Sequence, residues 1–401
     1  MTDNGKRYDE PYWDFDEIID RAGTDSVKYG DCKRYNKYLP DSYIPMWVAD
    51  MDFACPKPVL DAMHERLDRR ILGYTTLEGD DEYYETVVRW EKERHGILTT
   101  PDNIVYSAGV VRGMYEAVRH LTKPGDKVLI DTPGYHPFEN AAKRFDREAV
   151  FSPLLNDGTG YFTYDWEDME RKAADPAVKL YFLCSPHNPT GRVWTEEELR
   201  RIGDIMFRNN VFIFCDEIWH DHIRSNVTHV SFAKLFPDRT DYILATAPSK
   251  TFNLAGNDLS NLIIPDKAIA EEWRSRNYTG EPGPLAIVAC KAAYRYCAPW
   301  VDAMRAYIDG NFALVDETVR TRLKKAKFRP AEGTYVAWVD LGGYGLTDEE
   351  LNERISRAGL FIEFADSFIR DAQGFARINL ACPRSLVRKA MDILVDVLEK
   401  A

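Results

Sequence analysis

The 401-residue sequence lacks the features of membrane and secreted proteins. No apolar run approaches the roughly 20 residues that a helix needs to cross a bilayer, and the run Val211–Cys215 stops at Asp216. The first six residues are polar, and no apolar segment of the kind that a signal peptide requires follows them. We therefore expect a cytoplasmic protein without membrane association.

The sequence also has no cluster of basic residues. It carries 52 Lys and Arg against 65 Asp and Glu, a formal net charge of −13, and the basic residues form no stripe that could neutralise a phosphate backbone. A nucleic-acid partner is not expected.

Cysteines are few and scattered. The seven form no Cys-x-x-Cys pair and no Cys/His spacing typical of a metal site. Cys184 and Cys215 lie in apolar runs, where a free thiol packs as a small apolar group. We expect free thiols, a reducing compartment and no bound metal.

Repeats, low-complexity tracts and Gly/Ser linkers are absent as well, so any domains should pack closely. Between about residues 100 and 265, apolar runs alternate with helical patterns, which predicts an α/β domain with a mainly parallel sheet. A capping box at Thr195 predicts the start of one of its helices. The predicted strands are Asn103–Ser107, Lys127–Asp131, Val178–Cys184, Val211–Cys215, Tyr242–Thr246 and Leu259–Ile264.

From about residue 330 the pattern predicts a smaller α+β domain, with strands Thr334–Asp340, Leu360–Phe364 and Phe375–Leu380 and helices Asp348–Ala358 and Leu386–Glu399. We therefore expect three parts. Residues 1–48 are a segment that packs on the small domain, 49–285 are the large domain, and 286–401 are the small domain, which begins with a long interdomain helix. The cleft between the domains is the expected ligand site.

Lys250 follows the predicted strand Tyr242–Thr246, so it lies just past a carboxyl strand end, where open α/β sheets bind ligands. Its neighbours Phe252 and Leu254 are apolar, and desolvation would lower its pKa and favour an amine nucleophile or a Schiff base. An ordinary surface lysine is the alternative.

Asp216 follows the apolar strand Val211–Cys215 directly. A carboxylate in such a low-dielectric cleft needs a cationic partner, and a protonated pyridine nitrogen is one. The other interpretation is that Asp216 caps a following helix. The sequence leaves both open.

Three further groups lie near predicted strand ends. The turn after Val178–Cys184 presents Asn188, and the turn at Gly109 to Val111 opens a helix whose backbone N–H groups can bind a phosphate. Arg377 lies in an apolar strand, where its planar guanidinium suits a carboxylate. A structural ion pair is the alternative for Arg377.

Taken together, these runs resemble the fold-type I pyridoxal-phosphate (PLP) enzymes of the class I/II aminotransferase superfamily over nearly the whole chain. The resemblance is closest to the cystathionine β-lyases of the MalY/PatB type. The motifs that carry it are Met46–Phe53, Ser185–Trp194, Ser249–Gly256 and Ala381–Ser385. It implies the aspartate aminotransferase fold, with a mainly parallel seven-stranded sheet between helices and a smaller α+β domain.

The resemblance also implies a role for each residue around PLP. Lys250 holds the cofactor as a Schiff base and is the catalytic base, Asp216 pairs with the pyridine nitrogen, Asn188 donates to the phenolic oxygen, and Tyr135 stacks on the ring. The phosphate is bound by Gly109, Val110, Val111 and Ser249. Tyr74 reaches the phosphate of the neighbouring subunit, which makes the active unit a homodimer with shared sites.

On the substrate side, the resemblance implies that Arg377 grips the α-carboxylate of a small amino acid. Asn188, Trp47 and Ala49 complete that part of the site.

The sequence departs from the family's pattern at three places, all of which bear on substrate choice. Trp219 stands where tyrosine or histidine is usual, and its indole can donate but cannot accept a hydrogen bond. It is expected beside the cofactor. Asp258 adds a carboxylate near Lys250, and the segment 363–370 lacks the usual glycines.

The predicted function is PLP-dependent α,β-elimination on cystathionine or another cysteine thioether, which gives a thiol, pyruvate and ammonia. An aminotransferase would use the same catalytic residues and is the alternative. A regulatory PLP protein that acts by binding a partner is a third hypothesis.

Overall fold

The fold is given by a computed structural model that describes residues 13–276 and 280–400. Its largest sheet has seven strands, in the order Ile104–Ser107, Ser260–Ile263, Tyr242–Thr246, Phe212–Asp216, Val178–Cys184, Lys127–Thr132 and Glu148–Pro153. Neighbouring strands are parallel except on both sides of Ser260–Ile263, which runs antiparallel. The mainly parallel sheet predicted from the alternating pattern is confirmed.

The strand bounds predicted for this sheet are right to within one residue, and one strand of the sheet was not predicted. Asp216 is the last residue of its strand and does not follow it. The edge strand Glu148–Pro153 was not predicted, because its apolar run, residues 149–151, is only three residues long and only partly buried.

Helices cover both faces of this sheet. They are Lys57–Leu67, Asp81–Trp90, Val110–Leu121, His136–Arg144, Trp166–Ala173, Glu196–Arg208, Phe232–Leu235, Pro248–Thr251 and Lys267–Arg276. The capping box predicted at Thr195 is present, and it starts a helix that buries Leu199, Ile202 and Ile205. Apolar clusters fill the space on either side of the sheet, as a sheet covered on both faces requires.

The long helix expected at the start of the small domain is divided into two. The structure has two helices, Pro284–Tyr296 and Ala298–Arg322, separated at Cys297. Pro299 lies at the second position of the second helix, and a proline there has no N–H to continue the hydrogen bonding of the first.

The last part of the chain forms a three-stranded antiparallel sheet of Lys327–Phe328, Val336–Asp340 and Phe375–Asn379, with helices Asp348–Arg357 and Arg384–Glu399. The strand predicted at 360–364 is shorter, Leu360–Phe361, and lies outside this sheet. It pairs in parallel with Ile44–Pro45.

The segment that precedes the large sheet contacts this last part of the chain. Besides the pairing of Ile44–Pro45, the side-chain amide of Asn36 donates to Asn352 Oδ1 at 2.7 Å and to Ser356 Oγ at 2.8 Å. These contacts support the predicted packing of residues 13–48, whereas residues 1–12 lie outside the described ranges. The division at 48/49 and 285/286 stays a prediction. No helix in the described ranges is long and apolar enough to cross a membrane.

Candidate active site

A cavity of about 380 Å³ opens at the carboxyl ends of the parallel strands. Eleven of the predicted site residues line it: Ala49, Gly109, Val110, Val111, Tyr135, Asn188, Asp216, Trp219, Ser249, Lys250 and Arg377. They come from loops and strand ends that are far apart in the sequence, and the parallel sheet brings them to one edge. Asp258 and Glu363, two of the departures from the family's pattern, also line the cavity.

Lys250 lies in the short helix Pro248–Thr251, directly after the strand Tyr242–Thr246. Its Nζ donates to the carbonyl oxygen of Ala49 at 2.6 Å. Burial lowers the pKa of Lys250 to about 8, and the positive charge of Arg377 acts in the same direction, although nearby carboxylates oppose it. The neutral, nucleophilic form of this amine is therefore accessible near neutral pH, where an ordinary lysine is almost fully protonated.

Asp216 lies across the cavity, at the end of its strand, and is 5% exposed. Its Oδ1 accepts from the backbone N–H of Ile218 at 3.1 Å, and no Lys or Arg in the described ranges forms an ion pair with it. Burial raises the pKa of Asp216 to about 6. The helix-cap interpretation is wrong because no helix follows Asp216 directly: residues 217–231 contain turns, irregular segments and one β-bridge, and the next helix begins at Phe232. Asp216 is thus a buried carboxylate that can accept a cation.

The turn after Ile104–Ser107 offers backbone donors at the start of a 12-residue helix. Gly109 has φ = +89°, a conformation that favours glycine, and precedes the helix Val110–Leu121. The N–H of Gly109 donates to Ser107 at 2.8 Å, so it is already used. The N–H groups of Val110 and Val111 belong to the first helical turn, where an anion is stabilised by the helix dipole. Ser249 lies beside them in the cavity wall.

Tyr135 lies where the large domain contacts the last part of the chain. It ends the short strand Gly134–Tyr135, which pairs with Phe368–Ile369. Its ring packs edge-on against Phe138 and lines the cavity. A flat ring of a ligand could stack there.

Arg377 is 4% exposed and has three acceptors. Its Nη1 donates to Asn188 Oδ1 at 2.9 Å, and its Nη2 donates to the carbonyl oxygen of Trp47 at 3.4 Å and forms an ion pair with Glu363. Burial raises the pKa of Glu363, although the charge of Arg377 opposes this. Both interpretations of Arg377 therefore remain. It lines the cavity, as a residue that binds a substrate carboxylate must, and it forms an ion pair with Glu363, as a structural arginine would.

Two of the predicted residues lie elsewhere. The side chain of Trp47 stacks on Phe361, with 4.8 Å between ring centroids, so only its carbonyl oxygen reaches the site. Tyr74 is fully exposed in the single chain and does not line the cavity.

Trp219 does line the cavity. It is buried and packs edge-on against Tyr335, with 4.6 Å between the ring centroids.

Tyr335 is a site residue that sequence reasoning missed. Its hydroxyl donates to the carbonyl oxygen of Ala49 at 3.0 Å, so this oxygen accepts from both Tyr335 and Lys250. The carbonyl groups on either side, those of Val48 and Asp50, both accept from Asn379 at 2.8 Å. The motif Met46–Phe53 thus contacts its neighbours through backbone carbonyl groups. No feature of the sequence identifies Tyr335 as one of its hydrogen-bond partners.

A second group of residues that the sequence analysis did not identify is centred on Asp221. It contacts the short helix that carries Lys250. Asp221 Oδ2 accepts from Thr251 Oγ1 at 2.9 Å and lies 3.4 Å from His220 Nε2, while Oδ1 lies 3.1 Å from His95 Nε2. His95, His220 and Glu91 are close enough to hold a metal, but the two imidazole rings stack face to face at 3.7 Å. Their contacts fit a hydrogen-bonded support for Lys250.

The profile of the family described as aminotransferase class I and II matches residues 42–394, nearly the whole chain. The chain belongs to this family. Cystathionine β-lyase PatB of Bacillus subtilis strain 168 is 37% identical over 373 residues, which cover 92% of this chain and 95% of the relative. Protein MalY of Escherichia coli K12 is 29% identical over 396 residues, or 96% and 99% of the two chains.

Among solved structures, the PLP-bound C–S lyase of Staphylococcus hominis superposes with a TM-score of 0.91 at 40% identity. The alignment covers 96% of this chain and 98% of that one. The predicted resemblance and the predicted aspartate aminotransferase-type fold are confirmed. The protein therefore has the fold of the class I/II aminotransferase family, and its sequence and structure are similar to those of C–S lyases.

Proposed function

We propose that the protein is a PLP-dependent C–S β-lyase that cleaves a cysteine thioether into a thiol, pyruvate and ammonia. The observation that carries the proposal is that one cavity holds both a desolvated amine, Lys250, and a buried carboxylate, Asp216, that forms no ion pair with any Lys or Arg in the described ranges. The identity of 37% to 40% with lyases favours elimination over transamination.

The cavity fits PLP at three points. Lys250 would supply the amine for the cofactor's aldehyde, Asp216 would supply the anion for its pyridine nitrogen, and the helix start at Val110 would supply donors for its phosphate. Asn188 and Tyr135 would hold the ring from its edge and its face. When bound, PLP withdraws electrons from the substrate's Cα and so makes the proton there acidic.

The chain's own residues account for the remaining steps. Arg377 binds the substrate's carboxylate and thereby fixes the direction of the Cα–H bond. Lys250 Nζ takes the proton from Cα in its neutral form, which is accessible because its pKa is lowered to about 8. The thiolate on Cβ then leaves. The proton held on Lys250 Nζ passes to the departing thiolate, which gives the thiol. Water then hydrolyses the remaining three-carbon fragment to pyruvate and ammonia.

Ala49 and Tyr335 keep Lys250 in place for this proton transfer. The carbonyl oxygen of Ala49 holds Nζ at the cavity wall, and the Tyr335 hydroxyl holds that carbonyl. Trp219 covers the same side, with its ring centroid 5.6 Å from Nζ. Together these groups restrict the amine to one direction of approach, which is what an efficient general base needs.

We further propose that the active unit is a homodimer in the cytoplasm. Tyr74 is exposed together with the nearby apolar side chains Leu67, Ile71 and Leu72, and an exposed apolar patch of this kind typically marks a protein interface. A second copy seated there would bring Tyr74 to the partner's phosphate site. None of the seven cysteines, all of which lie in the described ranges, forms a disulfide, which agrees with a reducing compartment.

Incubation of the holoenzyme with L-cystathionine, without any 2-oxo acid, tests the proposal. Elimination releases thiol and pyruvate in equal amounts. An aminotransferase would convert amino acids only after 2-oxoglutarate or another 2-oxo acid is added, and that result would overturn the lyase proposal. The Lys250→Ala variant is the control and should release neither product.

A further inference from the structure

Glu363 occupies the part of Arg377 that a substrate carboxylate needs. A guanidinium binds a carboxylate at two points either through Nη1 and Nη2 or through Nε and Nη2. Both arrangements use Nη2, and in this structure Nη2 is paired with Glu363. The Nε of Arg377 is buried without a partner. A substrate can therefore form a two-point contact only if the carboxylate of Glu363 moves off Nη2 or shares it.

The backbone keeps Glu363 beside the site even when its side chain turns away. Glu363 and Arg377 form an antiparallel bridge, in which the N–H of Glu363 donates to Arg377 at 3.2 Å and the N–H of Arg377 donates to Glu363 at 2.8 Å. Only the side chain can move, so a displaced carboxylate stays at the wall of the cavity that it lines.

Among the described residues that line the cavity in the single chain, no further cation is available for that displaced carboxylate. The lining includes two basic side chains, Lys250 and Arg377, and three acidic ones, Asp216, Asp258 and Glu363. In the proposed reaction Lys250 would be committed to proton transfer at Cα, and Arg377 would bind the α-carboxylate, so neither would be left to pair with Glu363. A positive group on the substrate's distal end would give Glu363 a new partner, whereas a distal carboxylate would meet an unpaired negative charge.

We propose that Glu363 determines substrate specificity: the site accepts amino acids whose distal group is cationic or has no net charge, zwitterions included, and rejects those whose distal group has a net negative charge. The inference rests on the proposed β-lyase function and narrows its substrate class. It also implies that 2-oxoglutarate and other dicarboxylic acids are poor ligands.

The test compares three cysteine thioethers of similar size that differ in distal charge. They are S-(2-aminoethyl)-L-cysteine, S-(2-hydroxyethyl)-L-cysteine and S-carboxymethyl-L-cysteine. Two unit charges about 7 Å apart at an effective dielectric constant near 20 alter an equilibrium on the order of tenfold or more. We therefore expect kcat/KM of the wild-type holoenzyme to be at least about tenfold higher for the aminoethyl than for the carboxymethyl compound, with the difference mainly in KM.

The Glu363→Gln variant keeps the size of the side chain and removes its charge. Its preference for the aminoethyl compound should fall to within a few-fold, chiefly because the carboxymethyl compound binds better. Asp366→Asn is the matched control, because Asp366 belongs to the same segment but is exposed and does not line the cavity. This variant should keep the wild-type preference.

A binding measurement gives a readout that does not depend on turnover. The α-methyl derivatives of the aminoethyl and carboxymethyl compounds lack the Cα proton, and their Kd values can be measured by absorbance titration of the holoenzyme. The wild type should bind the cationic derivative at least about tenfold more tightly. Because this comparison needs no variant, it holds even if Glu363→Gln does not fold.

Two results would overturn the inference. One is a wild-type enzyme that cleaves and binds the charged compounds equally well. The other is a Glu363→Gln variant that loses the same factor for all three substrates, as expected if Glu363 only orients Arg377. A protein that cleaves none of the three and binds neither derivative would instead overturn the proposed lyase function itself.

Discussion

Replacing Asp52 with asparagine should destabilise the protein strongly. Asp52 is 6% exposed and pairs with Lys28, whose side chain is fully buried, at 2.7 Å. It also pairs with Arg21 at 3.0 Å. Lys28 donates in addition to the carbonyl oxygen of Asp50 at 2.9 Å, so the pair holds the run that positions Ala49 against Lys250.

The magnitude follows from the burial of Lys28. Loss of one partner of a buried ion pair leaves an uncompensated charge and typically costs about 3–5 kcal/mol. Asparagine keeps an oxygen that can accept from the ammonium group, so we expect the lower end, about 3 kcal/mol. With a urea m-value of a few kcal/mol per M, the unfolding midpoint should fall by roughly 1 M.

Urea denaturation of the cofactor-free protein, followed by tryptophan fluorescence, measures this shift. Asp41→Asn is the control, because Asp41 pairs with Lys33 at 2.5 Å but its side chain is fully exposed. An exposed pair contributes little, so the control should unfold like the wild type. The double variant Lys28→Met/Asp52→Asn should recover part of the loss, since it removes the buried charge as well.

Equal midpoints for Asp52→Asn and Asp41→Asn would refute this reasoning. So would a double variant that is less stable than Asp52→Asn alone. Either result would mean that the pair is hydrated or that Lys28 finds another partner.

Three further predictions concern the active site. Apoprotein should capture PLP faster as the pH rises and level off above about pH 8, because burial lowers the pKa of Lys250 to about 8 and only the neutral amine reacts; an exposed lysine would level off near about 10.4. Absorbance follows the capture, and Lys250→Ala should show none of it after dialysis. Asp216→Asn should weaken PLP binding on the order of a hundredfold, measured by equilibrium dialysis, because a buried charge partner is lost; unchanged affinity would contradict its proposed role. A mixture of inactive Lys250→Ala and Tyr74→Ala chains, refolded together, should regain about a quarter of the wild-type activity, since half the dimers are mixed and each has one intact site; no recovery would contradict the shared site.

Much of the large domain was predictable because its signals are local. Apolar runs such as Val178–Cys184 need only their own residues to indicate a buried strand, and the capping box at Thr195 lies within one helical turn. Open sheets of parallel strands bind ligands at the carboxyl ends of the strands. This rule alone predicts that Asp216 and Lys250 line one cavity.

The wrong predictions concern sequence patterns that are compatible with more than one local structure. A helical pattern continues through Cys297, but Pro299 divides it into two helices. The apolar run after Leu360 has the composition of a strand, yet only Leu360–Phe361 forms one, and it pairs with Ile44–Pro45, over 300 residues earlier; Glu363 forms an isolated bridge with Arg377. Which strand a short apolar run joins depends on the rest of the fold.

The sequence by itself determined which chemical groups the site contains: an amine at Lys250, a carboxylate at Asp216 and a guanidinium at Arg377. Only the tertiary structure decided their partners. Arg377 meets Glu363 and Asn188, and Lys250 meets the carbonyl oxygen of Ala49, 201 positions away in the chain. A strand end follows from local periodicity, whereas a partner follows from how distant segments pack, and that packing minimises the burial of unpaired polar groups over the whole fold.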